Sequence, residues 1–138
     1  MTLPKVVIDT SAAFKWFAPE GEDSVPEALA IAEQAVVGDL DIVAPSILPI
    51  EIANVVRYAG YPASTAEQLV REFVEFRVQL YEADAPRLAG ALQLAYTHGL
   101  TVYDALFLQL AEELGCPLVT ADRRAFAGID TNVDIRLL

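Results

Sequence analysis

Short β-branched runs alternate with amphipathic stretches along the chain, and this alternation restricts the possible folds most. Lys5-Val6-Val7-Ile8 reads as a buried strand that stops at Asp9. Thr10 or Ser11 can cap a short helix carrying Phe14, Trp16 and Phe17, which Pro19-Glu20-Gly21 ends. Ser24 and Glu27 have the spacing of a capping box, with Pro26 in the first turn of a second helix. Asp41 to Ala44 is the next strand. A helix through about Tyr58 follows, with Pro49 in its first turn, where a missing N–H costs little. Further helices are expected from Ser64 past Phe76, from Ala85 to Thr97 and from Val102 to Leu114. Gly99 and Gly115 stop the last two. Val78 to Tyr81, Pro117 to Thr120 and Val133 to Leu137 complete the strands. The pattern predicts an α/β fold with a mostly parallel sheet of four to five strands flanked by helices.

No repeat, low-complexity tract or Gly/Ser linker divides the 138 residues, so one domain over 1–138 is expected. Hydrophobic residues make up 54% of the chain, which excludes a disordered protein and points to apolar surface kept for a partner. The aromatic stretch Leu69, Phe73, Phe76 is the expected patch, and a homodimer the expected consequence. No apolar run approaches the roughly 18–20 residues of a membrane span, and no basic region precedes one as in a secretory leader. A single cysteine, Cys116, cannot form an internal disulfide, in keeping with a reducing cytoplasm. Nine basic residues against 20 acidic ones leave a net charge of −11. A surface of that sign cannot grip phosphates by bulk electrostatics. Any nucleic-acid role must work through a local site or a bound cation.

In open parallel sheets, ligands bind beyond the carboxyl ends of the strands, near a switch in strand order. Asp9 directly follows the first strand and Asp122 follows the fourth after Ala121, while Glu51 and Asp104 lie early in helices. Each has a structural reading: Asp9 and Asp122 as helix caps, Asp104 as a first-turn acid, Glu51 on a solvated face. Together they could converge on one crevice. Two carboxylates about 4 Å apart repel by about 4 kcal/mol at an effective dielectric of 20, so four demand a cation or protonation. Oxygen ligands suit magnesium or manganese, whereas one Cys and one His make a poor zinc set. His98 reads as a helix-end residue and Cys116 as packing.

These residues also carry a family resemblance. Val7-Ile8-Asp9-Thr10-Ser11-Ala12, Lys15-Trp16-Phe17 with Glu20, Pro45 to Asn54, Gly99 to Ala105 and Leu118 to Arg123 occur in this order over nearly the whole chain. In these pieces the sequence resembles the PIN-domain family and, within it, the VapC-type toxins of toxin–antitoxin pairs. The resemblance implies a single three-layer PIN-like domain and a magnesium-dependent ribonuclease. It assigns Asp9, Glu51, Asp104 and Asp122 as the four acidic positions, with manganese as a possible substitute for magnesium. Thr120 matches a small hydroxyl position, and Ser11 is a further supporting residue. Lys15, Arg57, Arg123 and Arg124, the basic residues nearest the motifs, are the expected phosphate contacts. A cognate VapB-type antitoxin and an RNA substrate are the implied partners. A non-catalytic interaction module on the same fold is the alternative. A magnesium-dependent phosphatase fits less well, since Ser11 stands where its second Asp belongs. So does a receiver domain, since no Lys occurs after Lys15.

Overall fold

The computed structural model describes residues 2–138. In chain order the elements are β1 (Lys5–Ile8), α1 (Thr10–Phe17), α2 (Val25–Val36), β2 (Asp41–Pro45), α3 (Leu48–Tyr58) and α4 (Ala63–Glu75). They continue as β3 (Gln79–Tyr81), α5 (Ala85–His98), α6 (Val102–Leu114), β4 (Leu118–Thr120), α7 (Arg123–Phe126) and β5 (Ile135–Leu137). The five strands form one sheet in the order β3-β2-β1-β4-β5, and every pairing is parallel. Val7 stands in register with Val43 on one side and Leu118 on the other. The central strands are buried on both faces, which is why they read as continuous β-branched runs rather than as alternating ones.

The topology locates the switch. From β1 the chain builds outward through β2 to β3, then returns to the other side of β1 for β4 and β5. The carboxyl ends of β1 and β4 therefore lie side by side where strand order reverses. Around the sheet, α6 packs against β1, β2, β4 and its neighbour α5, while α1 packs against α2, α3 and β4. The α5 and α6 boundaries follow the expectation, because Gly99 and Gly115 adopt left-handed backbone at φ 68° and 63° and close the helices.

Three local expectations are corrected. Of the two readings of the α1 cap, Thr10 or Ser11 fails and Asp9 holds, its carboxylate accepting from the Ala12 N–H. Ser24 precedes α2 in left-handed backbone (φ 52°) and makes no side-chain cap. An N-cap side chain reaches the first-turn N–H groups from the extended region, which Ser24 does not occupy. The Leu69, Phe73, Phe76 stretch is not a free surface either. Phe73 is buried in the core, and Phe76 and Leu69 pack against it. Phe76 lies 4.9 Å from the Trp16 ring and Phe73 lies 5.3 Å from Phe17, centroid to centroid. Helical periodicity reports an apolar face but not what covers it, and here α1 does.

Candidate active site

Asp9 sits at the switch. It is only 5% exposed, and three donors hold its carboxylate. Oδ1 accepts from the Ala12 N–H at 3.1 Å and from Ser11 Oγ at 2.7 Å, and Oδ2 accepts from Thr120 Oγ1 at 2.5 Å. Thr120, the last residue of β4, is fully buried beneath it and accepts from the Asp122 N–H at 3.0 Å. Ser11 Oγ accepts from the Ala121 N–H at 2.9 Å. The expected supporting residues thus bolt the end of β1 to the end of β4. Burial pushes the Asp9 carboxyl up to about 6, the Asp122 charge adds to the rise, and the three hydrogen bonds oppose it.

The other three acids come from separate elements. Asp122 begins α7 and accepts from the Ala125 N–H at 3.0 Å, so it is the helix cap as well as a site candidate. Glu51, in the first turn of α3, accepts from Thr10 Oγ1 at 2.7 Å. Burial raises its pKa, the Thr10 bond lowers it and the Asp104 charge raises it. Asp104 lies in the first turn of α6, whose cap Thr101 accepts from the Asp104 N–H at 3.1 Å. Its carboxyl is raised by burial and then by Asp122, against the Thr101 bond. All four line one cavity of about 910 Å³. Among the described residues, no three His, Cys, Asp or Glu side chains form a ready-made metal cage. The Asp122 charge reaches Asp9 and Asp104 across the cavity, and the Asp104 charge reaches Glu51.

The basic residues expected near phosphate are placed otherwise. Lys15 reaches the cavity wall but is 2% exposed, and its Nζ donates to the Asp23 carbonyl at 2.6 Å, Glu22 Oε1 at 3.2 Å and Asp23 Oδ1 at 3.3 Å. A buried ammonium must be satisfied, and the loop after α1 does so, leaving Lys15 spoken for. Arg57 lies six residues beyond Glu51, about 240° around the helix, and stacks over Tyr58 away from the cavity. Arg123 and Arg124 are exposed on α7 beside Asp122, outside the cavity lining.

Several lining residues escaped the sequence reading as site residues: Thr10, Asn54, Ile50, Tyr103, Glu22 and Asp23. Asn54 had a signal, since it lies three residues after Glu51 on the same helix face. Glu22 and Asp23 had none, because only the Lys15 tether brings their loop to the wall.

Comparison with known proteins agrees with this architecture. Residues 6–133 match the PIN domain family. The chain is 34% identical to Ribonuclease VapC3 of Pyrobaculum aerophilum, covering 87% of this chain and 91% of that one. It is 28% identical to Ribonuclease VapC1 of Mycobacterium tuberculosis, covering 69% and 73%. Among solved structures, VapBC2 from Rickettsia felis bound to a promoter DNA fragment superposes with a TM-score of 0.69 at 17% identity, covering 97% and 98%. The strand order, the switch-point acids and the match over residues 6–133 lead to one assignment: this chain belongs to the PIN-domain family, alongside its VapC members.

Proposed function

We propose that the cavity is the active site of a magnesium-dependent endoribonuclease, the toxin of a type II toxin–antitoxin pair acting in the cytoplasm. The observation that carries this reading is the convergence of Asp9, Glu51, Asp104 and Asp122, from four elements, on one cavity at the sheet's switch point. The donor set fits a hard divalent cation. It offers carboxylates and hydroxyls and no soft ligand, and magnesium keeps several waters, so it needs no closed protein cage. Asp9, Glu51, Asp104 and Asp122 would hold the metal, with manganese able to replace magnesium. Bound there, the metal would lower the pKa of a coordinated water and offset charge on the scissile phosphate. Thr120 and Ser11 fix the Asp9 oxygens, and Thr10 fixes one Glu51 oxygen, so these carboxylates keep their orientation.

The acidity of the cavity also supports a protein inhibitor, a VapB-type antitoxin with an Arg or Lys entering the site, where a charge-assisted pair is strong. The solved relative from Rickettsia felis is a VapBC complex. A homodimer remains part of the proposal on different residues. Leu88, Leu92 and Tyr96 recur every fourth residue on α5 and are all exposed. No helix among the described residues is long and apolar enough to cross a membrane. The test is cleavage of total RNA by the purified chain in magnesium, in EDTA, and after Asp104→Asn or Glu51→Gln. Cleavage confined to wild type with metal is expected. Cleavage that survives EDTA and both substitutions would refute the assignment.

A further inference from the structure

The cavity carries a feature that phosphate chemistry does not use. Tyr103 and Ile50 line it while being 59% and 69% exposed, and each is the chain neighbour of a candidate acid, Asp104 and Glu51. Successive helical residues point about 100° apart. A first turn that points its carboxylate into the cavity therefore swings the neighbouring side chain off that face, and Tyr103 and Ile50 line the cavity where it opens to solvent. Of the aromatic residues on the wall, Phe107 is buried and Phe14 half-buried, which leaves Tyr103 as the exposed ring. Tyr103 is the second residue of α6, in the turn that the Thr101 cap fixes through the Asp104 N–H, and not part of a loop. A sugar–phosphate backbone is anionic and gains nothing from exposed hydrocarbon. The part of a nucleotide that does is the face of its base.

We propose that Tyr103 is a stacking platform for an unpaired nucleobase next to the scissile phosphate, with Ile50 supplying further apolar wall. The inference rests on the ribonuclease reading above and deepens it. A base held on Tyr103 must leave its own helix stack, so the platform favours a nucleotide that is already unpaired. In paired A-form RNA the base must first be unstacked and unpaired, which disfavours it. Stacking of this kind tolerates any base, because every base has a π-face, and so it selects for structure more than for sequence.

The experiment uses an unpaired RNA 12-mer containing 2-aminopurine, free and annealed to its complement, with the wild-type chain, Tyr103→Phe, Tyr103→Leu and Tyr103→Ala. Cleavage is followed in magnesium and base fluorescence in calcium. Expected are cleavage of the free strand over the duplex and quenching of 2-aminopurine on binding. Tyr103→Ala should raise KM by roughly 5- to 150-fold with kcat nearly kept, at an unchanged melting temperature. Tyr103→Phe should behave as wild type and Tyr103→Leu should resemble Tyr103→Ala, since leucine keeps apolar area but has no ring face. A KM for Tyr103→Ala within twofold of a cleaving wild type overturns the platform alone and hands this wall to a protein partner. Equal cleavage of duplex and free strand overturns it too. A wild type that neither binds nor cleaves RNA overturns the ribonuclease reading and the platform with it.

Discussion

Asp9→Asn should stabilise the metal-free protein. A carboxyl raised from 3.8 to about 6 is held protonated by the fold more readily than by the unfolded chain. Between those values the native state binds the extra proton, so stability falls as pH rises through the window and the full penalty is present above about pH 6. A displacement of about two units corresponds to roughly 3 kcal/mol at pH 7.5. Asparagine removes the charge and can keep the network. Its Oδ1 still accepts from Ser11 and Ala12, and its Nδ2 faces Thr120 Oγ1. That hydroxyl can then turn its hydrogen toward Ser11 Oγ, 3.3 Å away. The variant should therefore gain about 2–3 kcal/mol at pH 7.5 in EDTA, a rise of roughly 6–10 °C in Tm for a domain of this size. Below about pH 4, where both states of the wild type are protonated, the gain should vanish. Urea unfolding of both proteins at pH 7.5 and pH 4 measures it. Magnesium should raise the wild-type Tm and leave the variant nearly unmoved, since a ligand stabilises only the state that binds it. An Asn variant no more stable than wild type at pH 7.5, or equally stabilised at both pH values, would refute the claim that the buried Asp9 charge strains the metal-free fold.

Three further outcomes follow from the same geometry. RNA affinity should depend on divalent metal more than on salt, because six carboxylates and one tethered lysine line the cavity. A short RNA should bind far better in calcium than in EDTA, with a shallow salt slope of roughly 0.7 per neutralised phosphate; equal affinity in both would point to a basic surface elsewhere. Lys15→Met should keep global stability within about 1–2 kcal/mol, since it deletes the buried charge itself and leaves an exposed Asp23 and a half-buried Glu22. Its effect should instead be rapid proteolysis within residues 18–24, and a loop as resistant as wild type would show that the tether is dispensable. Leu92→Asp on α5 should shift the chain from dimer to monomer in light scattering, and a wild type that is monomeric at high concentration would remove the dimer altogether.

Much of the molecule could be read along the chain because its determinants are local. Gly99 and Gly115 end their helices through their own backbone freedom, and Val6, Val7 and Ile8 announce a strand buried on both faces. The acids were legible for the same reason: Asp9 and Asp122 abut strand ends, and a parallel sheet sends its strand ends to one side. What stayed illegible depends on how the chain folds back on itself, over one loop at Lys15 and over most of its length elsewhere. Nothing near Lys15 shows that its ammonium is enclosed by Glu22 and Asp23 rather than free for phosphate, nor does Phe73 disclose that α1 covers it. Thr10 and Glu51 are 41 residues apart, and Asp9 and Thr120 are 111 apart. Hydrophobic period and capping chemistry specify each element and the side of the sheet where the acids gather. The enclosure of Lys15, the raised proton affinity of Asp9 and the exposure of Tyr103 on the cavity wall come from tertiary packing, because burial and the pairing of charges exist only once the chain has folded back on itself.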